Sequence, residues 1–316
     1  MKIAYHLYQL IYKANYGTLG GFREGALLRI TFDDGIIGYS DCHPLPELGD
    51  LLLKKQLLVL AEQQETPLLE CSLRFARLDA EARYEHRSLF EGISIPISHQ
   101  LIDFSANVEE LRAEGITHFK LKVGAVPEIE IPIMKSWVEA DNGILLRLDF
   151  NARLSRQKFL EYWKKMSLEV KRCIDFVEDP YPYNPVMWCE DQKMLDVAFA
   201  ADHSAVRALS FPESANYHVH KPAVDKSPKM IDNKAQLVIT SYLDHPLGQM
   251  CAAYTAAKLK SLYPNQISHC GLLTHKCFHE DPFIKSVHAV GPYLTPPDGT
   301  GFGFDTLLKE IQWQNL

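Results

Sequence analysis

Lys120 and Lys122 stand two residues apart in a segment, residues 118–124, in which polar and apolar side chains alternate. This alternation is typical of a β-strand, on which both lysines point to the same face, less than about 7 Å apart. Two ammonium groups that close repel each other, so we expect at least one to have a lowered pKa and to act as a base near neutral pH. A solvated strand face is the alternative explanation for such a pair.

Charged residues also end the strands predicted further along the chain. Asp149, Glu178 and Asp202 end three successive predicted strands, and Lys221 ends the next one. Taken singly, these acids have ordinary explanations such as a helix cap, an ion pair or an Asx turn. Three carboxylates that converge on one point need a cation, because like charges raise each other's pKa. Oxygen ligands favour Mg²⁺, with Mn²⁺ as an alternative.

This set of residues predicts a particular class of reaction. A divalent cation beside a substrate carboxylate stabilises the charge that develops when the adjacent carbon loses its proton. Lys122 and Lys221 would approach that carbon from opposite sides of the ring of strands. We therefore predict an enzyme that removes a proton next to the carboxylate of a small-molecule substrate.

The elements that position these residues alternate between strand and helix from about residue 93 onward. This rhythm predicts parallel pairing and an α/β fold. No Gly-x-Gly-x-x-Gly motif follows any predicted strand, which favours a (β/α) barrel over a dinucleotide-binding sheet. The predicted strands cover residues 93–102, 118–123, 144–150, 173–178, 197–202, 217–222 and 237–242, with a weaker one at 268–273, and a long helical pattern covers 156–171.

Residues 1–93 have a different pattern, and we expect a separate α+β unit there. An Asp-Gly turn at Asp34 and Gly35 joins two predicted strands, and helical patterns follow at residues 51–63 and 69–84. The glycine-rich residues 16–21 form either a lid or a simple connection. The Pro- and Gly-rich tail from Tyr293 is expected to pack against this unit.

The bulk composition limits the class of protein. The chain has 316 residues, of which 47% are hydrophobic and 23% charged, as in soluble globular proteins. A net charge of -7 without any basic run argues against a nucleic-acid partner, and no segment predicts membrane insertion or secretion. Seven scattered cysteines predict reduced thiols and a cytoplasmic location. The composition leaves the oligomeric state open.

A cluster of metal-binding residue types near the C-terminus offers an alternative to a purely catalytic metal site. Histidines and cysteines crowd into residues 269–279 and could form a zinc site. Their spacing matches no standard zinc pattern, so packed or solvated side chains are the preferred interpretation.

The lysine pair, the three acids and the later lysine resemble the arrangement found in the enolase superfamily, specifically its muconate-lactonising subgroup. Within that subgroup the chain is similar to the o-succinylbenzoate synthase family, on residues 38–46, 221–223 and 241–248. The resemblance implies a modified (β/α)₇β TIM-type barrel at residues 94–292. It also implies an N-terminal α+β capping domain at residues 1–93, completed by the tail at residues 293–316.

The resemblance further implies an activity and roles for individual residues. The activity is the Mg²⁺-dependent syn-dehydration of 2-succinyl-6-hydroxy-2,4-cyclohexadiene-1-carboxylate to 2-succinylbenzoate, through an enediolate, in menaquinone biosynthesis. Asp149, Glu178 and Asp202 would bind the metal. Lys122 would remove the proton and then help the hydroxyl to leave, and Lys221 would hold its positive charge against the enediolate.

The same resemblance implies substrate-binding roles for Lys120, Asn151 and Ser241, and closure of the loop at residues 16–21 over the site. The chain departs from the family pattern at two positions, where His203 replaces an acid and Tyr242 replaces a serine. The alternative activity on the same scaffold is that of a dipeptide epimerase or N-acylamino acid racemase, in which both catalytic lysines act as bases. No second acid lies two residues from Asp244 to bind a dipeptide amine, which favours the synthase.

Overall fold

A computed structural model of the chain describes residues 1–13, 16, 21–203, 205–226 and 235–316. An antiparallel sheet at one side combines three strands from the N-terminal region with one from the C-terminal end. Its two longest strands pair along their full lengths, and the predicted Asp-Gly turn joins the second to the third, with Gly35 at φ 83°. The strands are β1 (Lys2–Ile11), β2 (Phe22–Thr31), β3 (Ile37–Cys42) and β13 (Gln314–Asn315), in the spatial order β13, β1, β2, β3.

Two helices, α1 (Leu53–Ala61) and α2 (Pro67–Tyr84), cover one face of this sheet. The second begins where its sequence indicates, because the side chain of Thr66 accepts a hydrogen bond from the amide of Leu69 and Pro67 occupies the first helical position. Its apolar stripe, which includes Leu69 and Ala76, packs into the sheet.

A curled parallel sheet of seven strands forms the larger part of the molecule, with its strands in chain order. The two edges of this sheet are brought together by residues 267–271, which form isolated β-bridges to Ser98 and to the end of the sheet at the last strand. The predicted barrel is therefore confirmed. The eighth predicted strand, 268–273, forms only these bridges. The strands are β4 (Gln100–Ile102), β5 (His118–Lys122), β6 (Leu145–Asp149), β7 (Ile174–Glu178), β8 (Phe199–Ala201), β9 (Tyr217–His220) and β10 (Gln236–Ile239).

Two further sequence predictions for the barrel are wrong in detail. The strand predicted at residues 93–102 is regular only over Gln100–Ile102, and Pro96, which has no amide hydrogen to donate, lies in the irregular part. The helix predicted at 156–171 is two helices, because Met166 is extended and Ser167 caps a new helix through the amide of Val170. The barrel helices are α3 (Val108–Ala113), α4 (Pro127–Ala140), α5 (Arg156–Lys165), α6 (Leu168–Arg172), α7 (Pro185–Leu195), α8 (Ala205–Ala208) and α9 (Pro246–Leu262).

The C-terminal segment returns to the antiparallel sheet. Phe302 packs edge-on against Phe75 of α2, and its amide donates to the buried carboxylate of Asp79. Asp79 also accepts from Arg83, whose guanidinium contacts the carboxylate of Asp305. This segment contains α10 (Pro282–Lys285), β11 (His288–Val290), β12 (Tyr293–Thr295) and α11 (Asp305–Glu310).

A buried polar cluster joins the antiparallel sheet to the barrel. The hydroxyl of Tyr8 donates to Asp41 at 2.6 Å, and the amide of His245 donates to the other oxygen of that carboxylate at 3.1 Å. Asp244 lies beside them, and a Cβ atom on Gly248 would be 2.7 Å from an oxygen of each acid. Burial, together with the neighbouring acid, raises the pKa of Asp41, and burial raises the pKa of Asp244 to about 7.

Arg147 fills the interior of the barrel below the strand ends. Its guanidinium is completely buried and donates to Asp175 at 2.8 Å and to the backbone oxygen of His269 at 2.7 Å. It also lies 2.8 Å from Nδ1 of His99. Within the described ranges, none of the helices combines the length and the apolar character needed to cross a bilayer.

Candidate active site

The C-terminal ends of the barrel strands open into a cavity of about 620 Å³. Residues of the antiparallel sheet and the turn that follows it, including Arg23 and Glu47, form part of its wall. Glu178 lies behind the cavity surface, in contact with Lys120. The other predicted site residues line the cavity, and these are Lys120, Lys122, Asp149, Asn151, Asp202, Lys221 and Ser241.

The register of the parallel sheet explains why three of these residues are neighbours. Lys122 on β5 pairs with Asp149 on β6, and Asp149 pairs in turn with Glu178 on β7. Residues in register on adjacent strands point to the same side, and here each is the last residue of its strand. The alternation within each strand thus places a lysine and two acids in one row.

Lys120 lies between two acids. Its ammonium nitrogen is 2.7 and 2.8 Å from the two oxygens of Glu178 and 3.0 Å from Asp149. Burial alone would lower the pKa of Lys120, but these carboxylates raise it overall. Burial and the charge of Asp149 raise the pKa of Glu178 despite the neighbouring ammonium. Lys120 therefore offsets only part of what burial and the neighbouring acid impose on Glu178.

Lys221 makes the corresponding contact on the far side of the ring. Its nitrogen lies 2.5 Å from one oxygen of Asp202 and 2.6 Å from the other. Burial disfavours the charged form of both groups. The attraction between them outweighs this effect, raising the pKa of Lys221 and lowering the pKa of Asp202. At neutral pH this lysine is a cation and Asp202 a carboxylate.

Lys122 differs from the other two lysines. Within the described part of the chain it forms no ion pair, and the surface that it exposes faces the cavity. Enclosure by the cavity walls lowers the pKa of Lys122; the negative charge of Asp149 opposes this shift, and Lys120 and Arg153 reinforce it. The sequence predicted a lowered pKa for one lysine of the pair, and this is confirmed for Lys122, although burial contributes more than repulsion.

A second group of potential metal ligands lies beside Asp202. Ligand atoms of Asp179, Asp202 and His203 all lie within 4.8 Å of one another, and among the described residues this is the one trio that meets that spacing. Nδ1 of His203 is 3.0 Å from Asp179, which also accepts a hydrogen bond from the His203 amide at 3.0 Å. Sequence reasoning missed Asp179, for which its position directly after Glu178 was the available signal.

A left-handed turn follows β6 at the cavity rim. Asn151 and Ala152 have φ values of 51° and 53°, a region that residues other than glycine seldom adopt. The amide of Asn151 donates to Asp149 at 3.0 Å, and the amide of Ala152 donates to the backbone oxygen of Asp179 at 2.8 Å. The next residue, Arg153, lines the cavity and was not predicted.

The loop after β10 contributes the remaining predicted site residue. The hydroxyl of Ser241 is 2.5 Å from that of Thr274, so its hydrogen-bonding capacity is partly used within the protein. Tyr242, which replaces a serine of the family pattern, donates to Asp50 at 3.0 Å and thereby links the barrel to the N-terminal region.

Two further sequence interpretations concern metal binding and loop closure. None of the described histidines and cysteines at residues 269–279 belongs to a group with metal-ligand spacing. Nδ1 of His275 instead lies 2.8 Å from the side-chain amide nitrogen of Gln249. Of the predicted lid, Tyr16 donates to the backbone oxygen of Leu101 at 2.9 Å. Residues 17–20 of that loop lie outside the described residues.

Comparisons with known proteins identify the family. The family model for the N-terminal domain of O-succinylbenzoate synthase matches residues 3–82. An o-succinylbenzoate synthase of Bdellovibrio bacteriovorus is 34% identical over 330 residues, which cover 100% of this chain and 99% of that protein. The chain belongs to the o-succinylbenzoate synthase family. Members of this family are hydro-lyases of the enolase superfamily, and the protein is therefore an enzyme of the carbon–oxygen lyase class.

Solved structures agree with the fold of this family. An o-succinylbenzoate synthase from Thermosynechococcus elongatus, complexed with Mg in its active site, is 22% identical with a TM-score of 0.67, covering 89% of this chain and 95% of its own. A mandelate racemase/muconate lactonizing protein from Herpetosiphon aurantiacus is 17% identical with a TM-score of 0.75, covering 95% and 96%. The chain therefore shares the fold of these solved structures.

Proposed function

We propose that the protein is an o-succinylbenzoate synthase that converts 2-succinyl-6-hydroxy-2,4-cyclohexadiene-1-carboxylate to 2-succinylbenzoate and water, as a step of menaquinone biosynthesis. The observation that carries this proposal is the state of Lys122. It is a lysine without an ion pair among the described residues, it has a lowered pKa, and it faces a cavity opposite the cationic Lys221. A lowered pKa increases the share of the uncharged amine, which is the form that accepts a proton.

Lys122 would act twice in this reaction. Its neutral amine takes the proton from the carbon next to the ring carboxylate, and the electron pair moves into that carboxylate to give an enediolate. The resulting ammonium then donates a proton to the hydroxyl on the neighbouring carbon. The carbon–oxygen bond breaks, water leaves and the ring becomes aromatic. One residue can perform both transfers because both groups are on the same face.

We infer that Mg²⁺, with Mn²⁺ as an alternative, binds to Asp149, Glu178 and Asp202. All three offer oxygen ligands, and after burial the charge of Asp149 contributes to the raised pKa of Glu178, a repulsion that a bound cation would relieve. The bound metal would supply positive charge to offset the charge that develops on the substrate carboxylate. In the described structure these acids are instead paired with Lys120 and Lys221.

The remaining residues would position the substrate. Lys221 remains a cation and would stabilise the enediolate by its charge without transferring a proton. Lys120, also cationic, would contact the ring carboxylate. Asn151 is held at the rim by the left-handed turn and would donate its side-chain amide, and Ser241 would offer its hydroxyl.

We further propose that residues 1–93 and 293–316 form a capping domain, that residues 94–292 form the catalytic barrel, and that the enzyme works in the cytoplasm. Pairing of β13 with β1, through Tyr5 and Gln314, supports the inclusion of the C-terminal end in the cap. The free state of all seven cysteines agrees with a reducing compartment.

The test is turnover of the proposed substrate with and without Mg²⁺, measured for the wild type and for Lys122→Ala and Lys221→Ala. We expect metal-dependent aromatisation that falls by a factor of about 10³ or more in both variants. Lys158→Ala, which removes an exposed lysine on α5 away from the cavity, is the matched control. A wild type that fails here but racemises an N-acylamino acid or epimerises a dipeptide would contradict the substrate assignment. Inactivity on all of these substrates would contradict the proposal as a whole.

A further inference from the structure

The cationic side chains of the cavity differ in whether they are neutralised. Lys120 is paired with Asp149 and Glu178, and Lys221 with Asp202. The guanidinium of Arg23 contacts the carboxylate of Glu47 and donates to the hydroxyl of Tyr12 at 3.1 Å. Within the ranges that the structure describes, the cavity cations without a carboxylate partner are Lys122 and Arg153.

The proposed substrate needs one more cation than the reaction itself uses. It carries a carboxylate on the ring, at the reacting carbon, and a second one at the end of the succinyl chain. A carboxylate that enters a protein cavity without a partner loses much of its hydration energy. Lys122 cannot be its partner, because this lysine must be neutral to take the proton. Arg153 remains.

We propose that Arg153 binds the distal carboxylate of the substrate and thereby selects for dicarboxylates. This inference rests on the proposed function and names the residue that distinguishes the substrate from a simple ring carboxylate. A guanidinium presents paired N–H groups that match the two oxygens of a carboxylate, and it keeps its charge at every physiological pH.

The backbone at Arg153 is well suited to this role. The preceding residues, Asn151 and Ala152, occupy a left-handed turn fixed by hydrogen bonds to Asp149 and to the backbone of Asp179. The amide of Arg153 itself donates to the backbone oxygen of Phe150 at 3.1 Å. The side chain therefore extends from a fixed point that is tied to the metal-site strands, and little additional ordering of the backbone is needed when the ligand binds.

The experiment compares two ligands on the wild type and on variants, with Arg153→Lys and Arg23→Gln measured beside those named below. 2-Succinylbenzoate has both carboxylates, whereas 2-butanoylbenzoate has the same ring, ketone and chain length but lacks the distal carboxylate. Dissociation constants are measured by calorimetry in the presence of Mg²⁺ for the wild type, Arg153→Gln and the control Lys158→Gln. Steady-state turnover of the substrate is recorded for the same proteins, and circular dichroism establishes that each variant is folded.

We expect the wild type and the Lys158→Gln control to bind 2-succinylbenzoate about tenfold to a hundredfold more tightly than 2-butanoylbenzoate, the range typical of a charged hydrogen-bonded contact. Arg153→Gln should lose most of this ratio while its affinity for 2-butanoylbenzoate stays unchanged. In turnover the variant should show a raised KM and a much smaller change in kcat. Arg153→Lys should restore part of the ratio.

Two results would overturn the inference. If Arg153→Gln keeps the wild-type ratio while the enzyme turns over its substrate normally, the inference alone is wrong; a loss of the ratio in Arg23→Gln instead would transfer the role to Arg23. If the wild type neither turns over the substrate nor binds 2-succinylbenzoate, the proposed function and the inference are overturned together.

Discussion

The ammonium nitrogen of Lys120 lies 2.7 Å from one carboxylate oxygen of Glu178 and 2.8 Å from the other, while a third contact of 3.0 Å reaches Asp149. Both acids are almost completely buried. Lys120 therefore supplies part of the positive charge that the two buried acids require, and we expect the protein to remain folded in the presence of a chelator.

Replacement of Lys120 by methionine tests this relationship. Lys120→Met should lower the free energy of unfolding by about 3–5 kcal/mol in the presence of a chelator, because two buried carboxylates lose their countercharge. Added Mg²⁺ should restore part of that loss. Urea denaturation with and without Mg²⁺ measures both effects, and Lys135→Met, which removes an exposed lysine on α4, is the control. Equal stability of Lys120→Met and the wild type in chelator would contradict the electrostatic role.

Gly248, near the start of α9, should be intolerant of any side chain. A Cβ atom there would lie 2.7 Å from an oxygen of Asp41 and from one of Asp244. Gly248→Ala should therefore lower the free energy of unfolding by about 1–3 kcal/mol, although alanine is the better helix former. Thermal denaturation measures the change, with the exposed Ser261→Ala on the same helix as control. An increase in Tm would show that the acids can move apart at little cost.

The pair of Asp41 and Asp244 also predicts a pH dependence. Burial raises the pKa of Asp244 from 3.8 to about 7, so the folded protein keeps a proton that the unfolded chain releases at lower pH. The stabilisation from this group is complete below pH 3.8 and is lost as the pH rises through about 7. Tyr8, His43 and His245 surround the pair; burial raises the pKa of Tyr8, and it lowers the pKa values of His43 and His245.

Asp244→Asn removes this titration. The stability of the variant relative to the wild type should therefore increase by an amount on the order of 2 kcal/mol between pH 5 and pH 8. Urea denaturation of both proteins across that range measures the difference in their free energies of unfolding. Groups that titrate alike in both proteins cancel in this difference. A difference that does not change with pH would mean that Asp244 is ionised throughout.

Arg147 should be essential for the stability of the barrel. Its guanidinium is fully buried and donates to Asp175, Ser268 and the backbone of His269. Arg147→Met leaves these acceptors without their donor and should cost about 3–5 kcal/mol in the free energy of unfolding. Guanidinium denaturation of this variant, with the exposed Arg172→Met as a control, measures the loss. A loss below about 1 kcal/mol would mean that water replaces the arginine.

The sequence predicts the barrel strands that carry the site because alternation and terminal charges are local properties. The in-register neighbours Lys122, Asp149 and Glu178 follow from that alternation once the strands are parallel. The state of each lysine could not be predicted, because the pairing of Lys120 with two acids and the enclosure of Lys122 depend on tertiary contacts.

Other features escaped prediction for similar physical reasons. The break between α5 and α6 depends on a single cap at Ser167 within a continuous helical pattern. The left-handed turn before Arg153 is formed by Asn151 and Ala152, and alanine gives no local signal for positive φ. Asp41 and Asp244 are about 200 positions apart in sequence, and their proximity at Gly248 follows only from the docking of sheet and barrel.

The wall of the cavity has a consequence for engineering. The predicted reacting groups lie at the ends of parallel strands, Lys122 as the last residue of β5 and Lys221 directly after β9. By contrast, Arg23, Leu45 and Leu48 reach the cavity from the antiparallel sheet and the turn after it. Random libraries confined to residues 22–50 would therefore reshape the volume offered to the substrate while leaving the proton-transfer groups in place. Such libraries change which ligand the cavity accepts without changing the reacting groups. This short segment is therefore a suitable place to select variants that accept other ring carboxylates.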